Sequence, residues 1–407
     1  MTTAAKRIVI LGGGFGGLYT ALRLSQFPWE GNPPEIVLVD KNDRFLFAPL
    51  LYELITGELQ TWEIAPPFEE LLSQTGIRFY QAKVTGIEIE EQYVELENRP
   101  ALTYDYLTIA LGGQTPLSNI PGVQDYAIPF RTLPHAYHLL EKLRILEQSE
   151  MDKIRVAIIG GGYSGVELAC KLADRLGERG RIRLVERGEQ LLKTATDFNR
   201  QAAEKALEVR KVWVDLETSV ESVGADSLEL LYKGQVDLLP VEIVLWTVGT
   251  QVSDLIRDLP LPHNERGQLM TQPTLQVVDY PHLFALGDAA HCQDVTGQDI
   301  HFVTLREQAT AQVAIQQADY CAWNLWASVC DRPLLPFRYQ GLGEMLALGV
   351  ETATLNGLGM KLEGSVGYVA RRLAYLYRLP TLQHQFAVGV NWLTQPLLKV
   401  LSQSKSS

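Results

Sequence analysis

The sequence predicts an α/β protein in which one unit, a strand, a glycine-rich turn and a helix, is used twice. Two Gly-x-Gly-x-x-Gly signatures predict it: Gly12, Gly14 and Gly17, then Gly160, Gly162 and Gly165. Each follows an apolar run of strand length, Arg7-Ile8-Val9-Ile10-Leu11 and Ile154-Arg155-Val156-Ala157-Ile158-Ile159, and each precedes a predicted helix. The signatures begin 148 residues apart, which is a domain-sized separation and not a short solenoid repeat. The predicted fold class is therefore α/β with tandem Rossmann-like, two-dinucleotide-binding units.

Each glycine of such a turn has a physical task. The first makes the tight turn, the second lets the backbone approach a pyrophosphate, and the third lets helix and strand pack closely. The helix N-terminus then offers unpaired N–H groups and a positive dipole end to phosphate. In the first unit the second strand, Ile36-Val37-Leu38-Val39, ends at Asp40, 23 residues after Gly17. A carboxylate there accepts hydrogen bonds from a ribose hydroxyl. Far downstream, Leu283-Phe284-Ala285-Leu286-Gly287-Asp288 is a strand closing on Gly-Asp. In flavoproteins with two dinucleotide sites such an Asp meets the flavin ribitol, so Gly287 and Asp288 join the first signature in predicting FAD.

The second unit repeats the logic. Its second strand, Ile182-Arg183-Leu184-Val185, ends at Glu186, 21 residues after Gly165. Glu186 favours the free 2′-hydroxyl of NADH, whereas the adjacent Arg187 suits the 2′-phosphate of NADPH. The two neighbours point in opposite directions and leave the donor open between NADH and NADPH. Glu167 lies two residues past the last glycine, in the predicted first turn of the helix. There it complements the helix dipole or sits near nicotinamide and flavin.

Pro-rich and polar stretches, Gln114-Thr115-Pro116 with Pro121-Gly122 and Pro260-Leu261-Pro262-His263-Asn264, mark chain crossings. They predict a discontinuous FAD domain over 1–115 and 266–347, an NAD(P)H domain over 116–265, and a separate C-terminal region over 348–407. The chain has 407 residues, ample for two or three cores, and its net charge of −12 argues against nucleic acid as a partner. The four cysteines, Cys170, Cys292, Cys321 and Cys330, have neither CxxC nor zinc-ligand spacing, so no metal is predicted. The first strand begins within ten residues and no apolar run approaches the ~20 needed to span a bilayer. No signal peptide and no spanning helix are expected.

Asp40 continues as Lys41-Asn42-Asp43-Arg44-Phe45-Leu46-Phe47-Ala48-Pro49-Leu50-Leu51-Tyr52-Glu53-Leu54-Ile55-Thr56-Gly57. With Val244-Leu245-Trp246-Thr247-Val248-Gly249 and Ala285-Leu286-Gly287-Asp288, this resembles the type II NAD(P)H:quinone oxidoreductases over essentially the full length. The resemblance implies hydride transfer from NADH or NADPH to FAD, then two-electron reduction of a membrane quinone. The family's AQxAxQ element reads here Ala311-Gln312-Val313-Ala314-Ile315-Gln316. Gln312 and Gln316 stand at i and i+4 on one helix face, where the quinone head group docks. The family's helical acid maps onto Glu167, so Glu167, Gln312 and Gln316 are the implied residues for orienting the quinone or relaying protons.

The strings Ile109-Ala110-Leu111-Gly112-Gly113-Gln114-Thr115-Pro116, Asp319-Tyr320-Cys321-Ala322-Trp323-Asn324 and Gly341-Leu342-Gly343-Glu344-Met345-Leu346-Ala347-Leu348-Gly349 are similar to one branch of that family. That branch, from oxygenic phototrophs, reduces demethylphylloquinone during phylloquinone (vitamin K1) synthesis. Gly112 of the first string joins the cofactor-binding candidates. Three alternatives remain. A respiratory NADH dehydrogenase reducing plastoquinone or menaquinone shares every motif, a ferredoxin reductase shares the fold, and a redox sensor would bind both nucleotides with little turnover. The stretch Phe45–Gly57 lacks the cysteines of disulfide reductases.

Residues 361–407 carry six Lys or Arg and one acid, net +5, which leaves −17 on the rest. Val366, Val369, Ala370, Leu373, Leu376 and Tyr377 recur with helical spacing, near Arg371, Arg372 and Arg378. After Pro380 follow Phe386, Val390, Leu393, Leu397, Val400 and Leu401, with Trp392 adjacent. Basic charge beside an apolar face with Trp and Tyr predicts helices lying in a membrane interface, on the cytoplasmic face of a thylakoid or plasma membrane. A homodimer through this region is the other use implied by the resemblance.

Overall fold

The computed structural model describes residues 5–29, 31–116, 120–292 and 310–403, with side chains as far as 394. Two parallel sheets dominate. In the first, Tyr280–Ala285, Tyr106–Ile109, Arg7–Leu11, Glu35–Asp40 and Arg78–Gln81 run side by side, all parallel. Leu269–Thr271, Gln276–Val277 and Ala290–Cys292 complete this sheet, so chain from beyond residue 265 returns to it. The second sheet is Trp213–Asp215, Gly180–Val185, Ile154–Ile159, Ile243–Trp246 and Ala127–Pro129, again all parallel.

Parallel strands covered on both faces read as continuous apolar runs, and that is how both signature strands behave. Ile8 and Ile10 pack with Leu18 and Ala21 of the helix Phe15–Leu24, while Val9 and Leu11 face the opposite core with Leu107 and Ile109. In the second sheet Val156 and Ile158 share the first core, and Ala157 and Ile159 face Val220 and Leu230. Each unit also carries one three-stranded antiparallel sheet, Val84–Glu88 with Tyr93–Leu96 and Arg99–Thr103, and Thr218–Val223 with Ser227–Tyr232 and Gln235–Pro240. The first crossing pairs with the short strand Gln251–Val252, Gln114 opposite Gln251 and Gly113 opposite Val252.

The C-terminal part is an antiparallel sheet, Glu344–Ala347, Ala353–Gly357 and Met360–Glu363, followed by the helices Gly364–Tyr377 and Leu382–Gln403. Val366, Val369, Leu373 and Tyr377 are exposed on one helix and Phe386, Val390 and Leu393 on the next, joined by Leu382, while Ala370 is partly exposed and Leu376 packs on the core. Leu397, Val400 and Leu401 lie outside the residues whose side chains are described. No helix among the described residues is long and apolar enough to cross a membrane.

Two readings of the tail need correction. Arg371 is not a surface charge beside the apolar face; it is fully buried and pairs with Glu53. The helix turns Gly367, Arg371 and Tyr375 inward, a stripe of three residues four apart. Trp392 is only half-exposed, and its ring N–H donates to Glu63 Oε1 at 2.7 Å. Asn391 donates to the same oxygen at 3.1 Å, and His384 Nε2 lies 2.8 Å from the Glu63 carbonyl oxygen. Glu63 is itself buried, so the second helix supplies its donors.

Candidate active site

The two glycine turns are near copies. Gly12 and Gly160 sit at φ +99° and +111°, a region L side chains avoid. A Cβ on Gly17 would lie 1.8 Å from the Gly12 carbonyl oxygen, and one on Gly165 1.9 Å from that of Gly160. Only glycine permits this approach of helix to strand. Gly14 and Gly162 differ: each has extended backbone, caps the helix that follows, and faces open space where a Cβ would point. That space, before two uncapped helix N-termini with no acid in the first turn, fits an incoming pyrophosphate.

Both strand-end acids brace these turns. Asp40 Oδ2 accepts the Gly13 N–H at 2.6 Å and Oδ1 accepts the Asn42 N–H at 2.8 Å. Glu186 Oε2 accepts the Gly161 N–H and Oε1 the Gly188 N–H, each at 2.6 Å. Arg187 is exposed beside it.

Gly112 follows the end of the strand Tyr106–Ile109 at φ +67°, with open space where a Cβ would point. Gly287, at φ +69°, follows the end of the neighbouring strand Tyr280–Ala285. Asp288 Oδ2 accepts from Arg131 Nη2 at 2.9 Å, and Arg131 Nη1 donates to Thr250 Oγ1 at 2.9 Å. Arg131 thus joins Asp288 to Thr250, which precedes the strand Gln251–Val252. Sequence reasoning missed it, because 157 residues separate the partners and no local spacing announces the pair.

The helix Thr310–Val329 packs along Phe15–Leu24, with Arg23 and Asp319 paired at 2.8 Å. Gln312 is buried, and its Nε2 has no hydrogen-bond partner among the described residues. Gln316 is engaged: Nε2 donates to the Gln340 carbonyl at 2.9 Å and Oε1 accepts the Gln340 N–H at 2.9 Å. The next residue, Gln317, was not singled out, yet its buried Oε1 accepts the Gly287 N–H at 2.8 Å. A usable signal existed. Gln317 falls in phase with the buried Val313, Cys321 and Asn324, where a polar side chain needs a partner.

Glu167 needs one correction. The helix begins at Tyr163, so Glu167 is its fifth residue, beyond the first turn where an acid complements the dipole. It is buried instead. Oε1 accepts the Ala347 N–H at 2.8 Å and lies 3.7 Å from Arg371 Nη2. Burial pushes its pKa up to about 7, against the opposing pull of Arg371 and the Ala347 N–H. A carboxyl so placed exchanges a proton near neutral pH. The ring of Tyr52 leads from the first unit to this helix, its hydroxyl 2.8 Å from Ser164 Oγ.

All four cysteines are among the described residues, and no two form a disulfide. Burial pushes the thiols of Cys170 and Cys321 up to about 12, which disfavours the nucleophilic thiolate.

Residues 6–318 match the pyridine nucleotide-disulphide oxidoreductase family. The chain is 59% identical over 402 residues to the demethylphylloquinone reductase NdbB of Synechocystis, covering 98% of each chain. It is 41% identical to the alternative NAD(P)H-ubiquinone oxidoreductase C1 of Arabidopsis thaliana, covering 98% of this chain and 83% of that one. Among solved structures, NDH2 from Plasmodium falciparum in complex with NADH superposes with a TM-score of 0.82 at 20% identity, covering 96% of this chain and 98% of that one. With its paired glycine turns, strand-end acids and Gly-Asp closure, the chain belongs to the pyridine nucleotide-disulphide oxidoreductase family, in its type II branch.

Proposed function

We propose that the chain is an FAD-dependent NAD(P)H:quinone oxidoreductase whose acceptor is a membrane naphthoquinone, demethylphylloquinone. One observation carries this reading: two matching cradles on separate parallel sheets, in a chain 59% identical along its length to a protein named for that reaction. In it Gly12, Gly14, Gly17, Asp40, Gly112, Gly287 and Asp288 hold FAD. Gly160, Gly162, Gly165, Glu186 and Arg187 hold NADH or NADPH. When bound, FAD supplies the hydride acceptor and the two-electron donor that the side chains lack.

The chain's own residues then bind, orient and protonate. The uncommitted amide N–H of Gln312 points the quinone oxygen, since a buried donor gains most from a partner it otherwise lacks. Gln316 braces the 340 segment beside it, and Gln317 fixes the Gly287 turn. Glu167 holds a proton at neutral pH and releases it to the reduced acceptor.

Anaerobic stopped-flow on the FAD-loaded protein tests the assignment. Reduction by NADPH or NADH is expected within one fast phase, with reoxidation faster by a short-chain naphthoquinone lacking the ring methyl than by its methylated counterpart. Fast turnover with NADH and a plastoquinone analogue, and none with the demethyl compound, would move the chain to the respiratory reading. The 41% relative named for ubiquinone keeps that reading in play. Reoxidation by no quinone would sink both.

The exposed face of Val366, Val369, Leu373, Tyr377, Phe386 and Leu393 is proposed to lie on the bilayer that holds the quinone. A large apolar side chain moved out of water is worth about 1.5–3 kcal/mol. Leu373→Glu with Leu393→Glu is therefore expected to lower vesicle binding by about 100-fold or more. Turnover of a water-soluble quinone should stay unchanged. Vesicle binding left intact, with a dimer broken by the same substitutions, would give this face to a second copy instead.

A further inference from the structure

Five ionisable side chains meet beneath the helix Gly364–Tyr377. Arg371 Nη1 donates to Glu53 Oε1 at 2.5 Å, while Nη2 donates to the Pro49 carbonyl at 2.9 Å and lies 3.7 Å from Glu167 Oε1. Lys171 Nζ donates to Glu58 and lies 3.9 Å from Glu53 Oε1. Glu53, Lys171 and Arg371 are fully buried, and the side chains of Glu58 and Glu167 are 9% exposed. Three carboxylates thus face two cations in a medium that tolerates charge only in balance.

Fully ionised, the cluster carries one net negative charge; with one proton it is neutral. Geometry decides where that proton sits. Glu53 touches both cations and Glu58 touches Lys171, whereas Glu167 has only the longer approach of Arg371 and one backbone N–H. At Glu53, burial works against the charge, but Arg371 and Lys171 outweigh it and hold the carboxyl below its usual range.

Other titratable groups surround these five. Tyr52 faces Glu167 from the helix Tyr52–Thr56, Tyr163 and Cys170 from its own helix, and Tyr375 from the C-terminal helix. Glu344 faces Tyr163 but takes three donors of its own, Thr196 N, Thr196 Oγ1 and Asn199 Nδ2. Asp174 is paired with Arg210 at 2.7 Å. Arg372 lies half-buried at the rim, its guanidinium over the Trp392 ring; its Nη2 donates to the Glu58 carbonyl at 3.3 Å and its charge adds to the pull on Glu53. Tyr368 faces Glu53 and Glu58 from the same helix, and Glu351 is exposed.

We propose that Glu53 and Lys171 are positioning residues of the reaction: through Arg371 and through charge balance they make Glu167 the one member of the cluster that carries an exchangeable proton. This rests on the reading above, in which Glu167 gives its proton to the reduced acceptor. In each turnover the Glu167 O–H bond breaks, its proton goes to one quinone oxygen, and the cluster passes from neutral to one negative charge; the quinol's other hydrogen is the one that leaves NAD(P)H with the electron pair. Solvent returns the proton. The electrons come entirely from NAD(P)H, and no member of the cluster is oxidised or reduced.

The test is the pH profile of flavin reoxidation by quinone in the holoenzyme, with an infrared titration of the buried carboxyl band. Glu53→Gln keeps the shape and an acceptor for Arg371 but removes a negative charge, so the transition should move down by about one pH unit. Lys171→Gln removes a positive charge and should move it up by about one unit. Glu58→Gln, nearer the rim, repeats the downward shift should the fully buried variants fail to fold. Glu167→Gln should erase both the transition and the infrared band. Opposite shifts support the proposal, since damage to packing would not reverse sign with the charge removed. If Glu167→Gln erases the transition but the other variants shift it the same way or leave it unmoved, the proposal fails and the role of Glu167 stands. If the transition survives Glu167→Gln, that role falls and the proposal with it.

Discussion

Gly14→Ala is expected to give a folded protein that no longer retains FAD, and Gly162→Ala one that stays yellow but is not reduced by NAD(P)H. At both positions the backbone is extended and a Cβ meets nothing, so the fold tolerates it. The added methyl stands instead where the pyrophosphate must approach the helix N-terminus. Each affinity should fall by about 100-fold or more, which is about 2.7 kcal/mol. Gly17→Ala makes the contrast, because its Cβ would lie 1.8 Å from the Gly12 carbonyl oxygen and must damage the unit itself. Bound flavin after desalting, nucleotide titration by calorimetry and far-ultraviolet circular dichroism separate these cases. Gly14→Ala protein that keeps FAD at undiminished affinity would show that the cradle has been assigned to the wrong group.

Arg371→Met is expected to destabilise the protein by about 3–5 kcal/mol, because it leaves Glu53 buried and charged without its main partner. The expected route of failure is loosening of the C-terminal helices from the two units. Replacing Glu53 and Arg371 together by Met should cost less than Arg371→Met alone, since no uncompensated charge then remains between them. Denaturant unfolding of the three variants measures this. Equal losses in Arg371→Met and in the double variant would mean that packing, and not charge pairing, fixes the helix.

What was legible in the chain follows the range of the interactions involved. Each glycine turn is local: strand, turn and helix occupy some twenty consecutive residues, and the strand-end acids Asp40 and Glu186 follow 23 and 21 residues after the last glycine. The parallel sheets were legible for the same reason, since Ile8–Leu11 and Ile154–Ile159 are apolar on both faces. Arg131 was not legible, because it meets Asp288 only once residues 157 apart in the chain are brought together. In the C-terminal helix the sequence put Arg371 beside the apolar stripe, whereas it is buried. Periodicity says that Val366, Val369 and Leu373 share a side, not whether that side faces protein or solvent. The answer depended on Glu53, 318 residues away, whose charge draws the arginine inward and turns the apolar stripe out. Glu167 was found through resemblance, but its raised affinity for a proton comes from burial by elements that the sequence does not place beside it.

The way Glu63 is held bears on how the exposed apolar stripe of the C-terminal helices can be altered. Clipping off the last helix removes part of that stripe, yet the helix also supplies the Trp392, Asn391 and His384 groups that meet a buried glutamate of the first unit. A shortened chain would expose a raw ionic socket and the apolar floor around it. Recolouring the outer stripe while leaving the inward residues untouched keeps the socket filled. The greasy surface and the structural plug are two sides of one helix, so they can be altered separately by substitution but not by a cut.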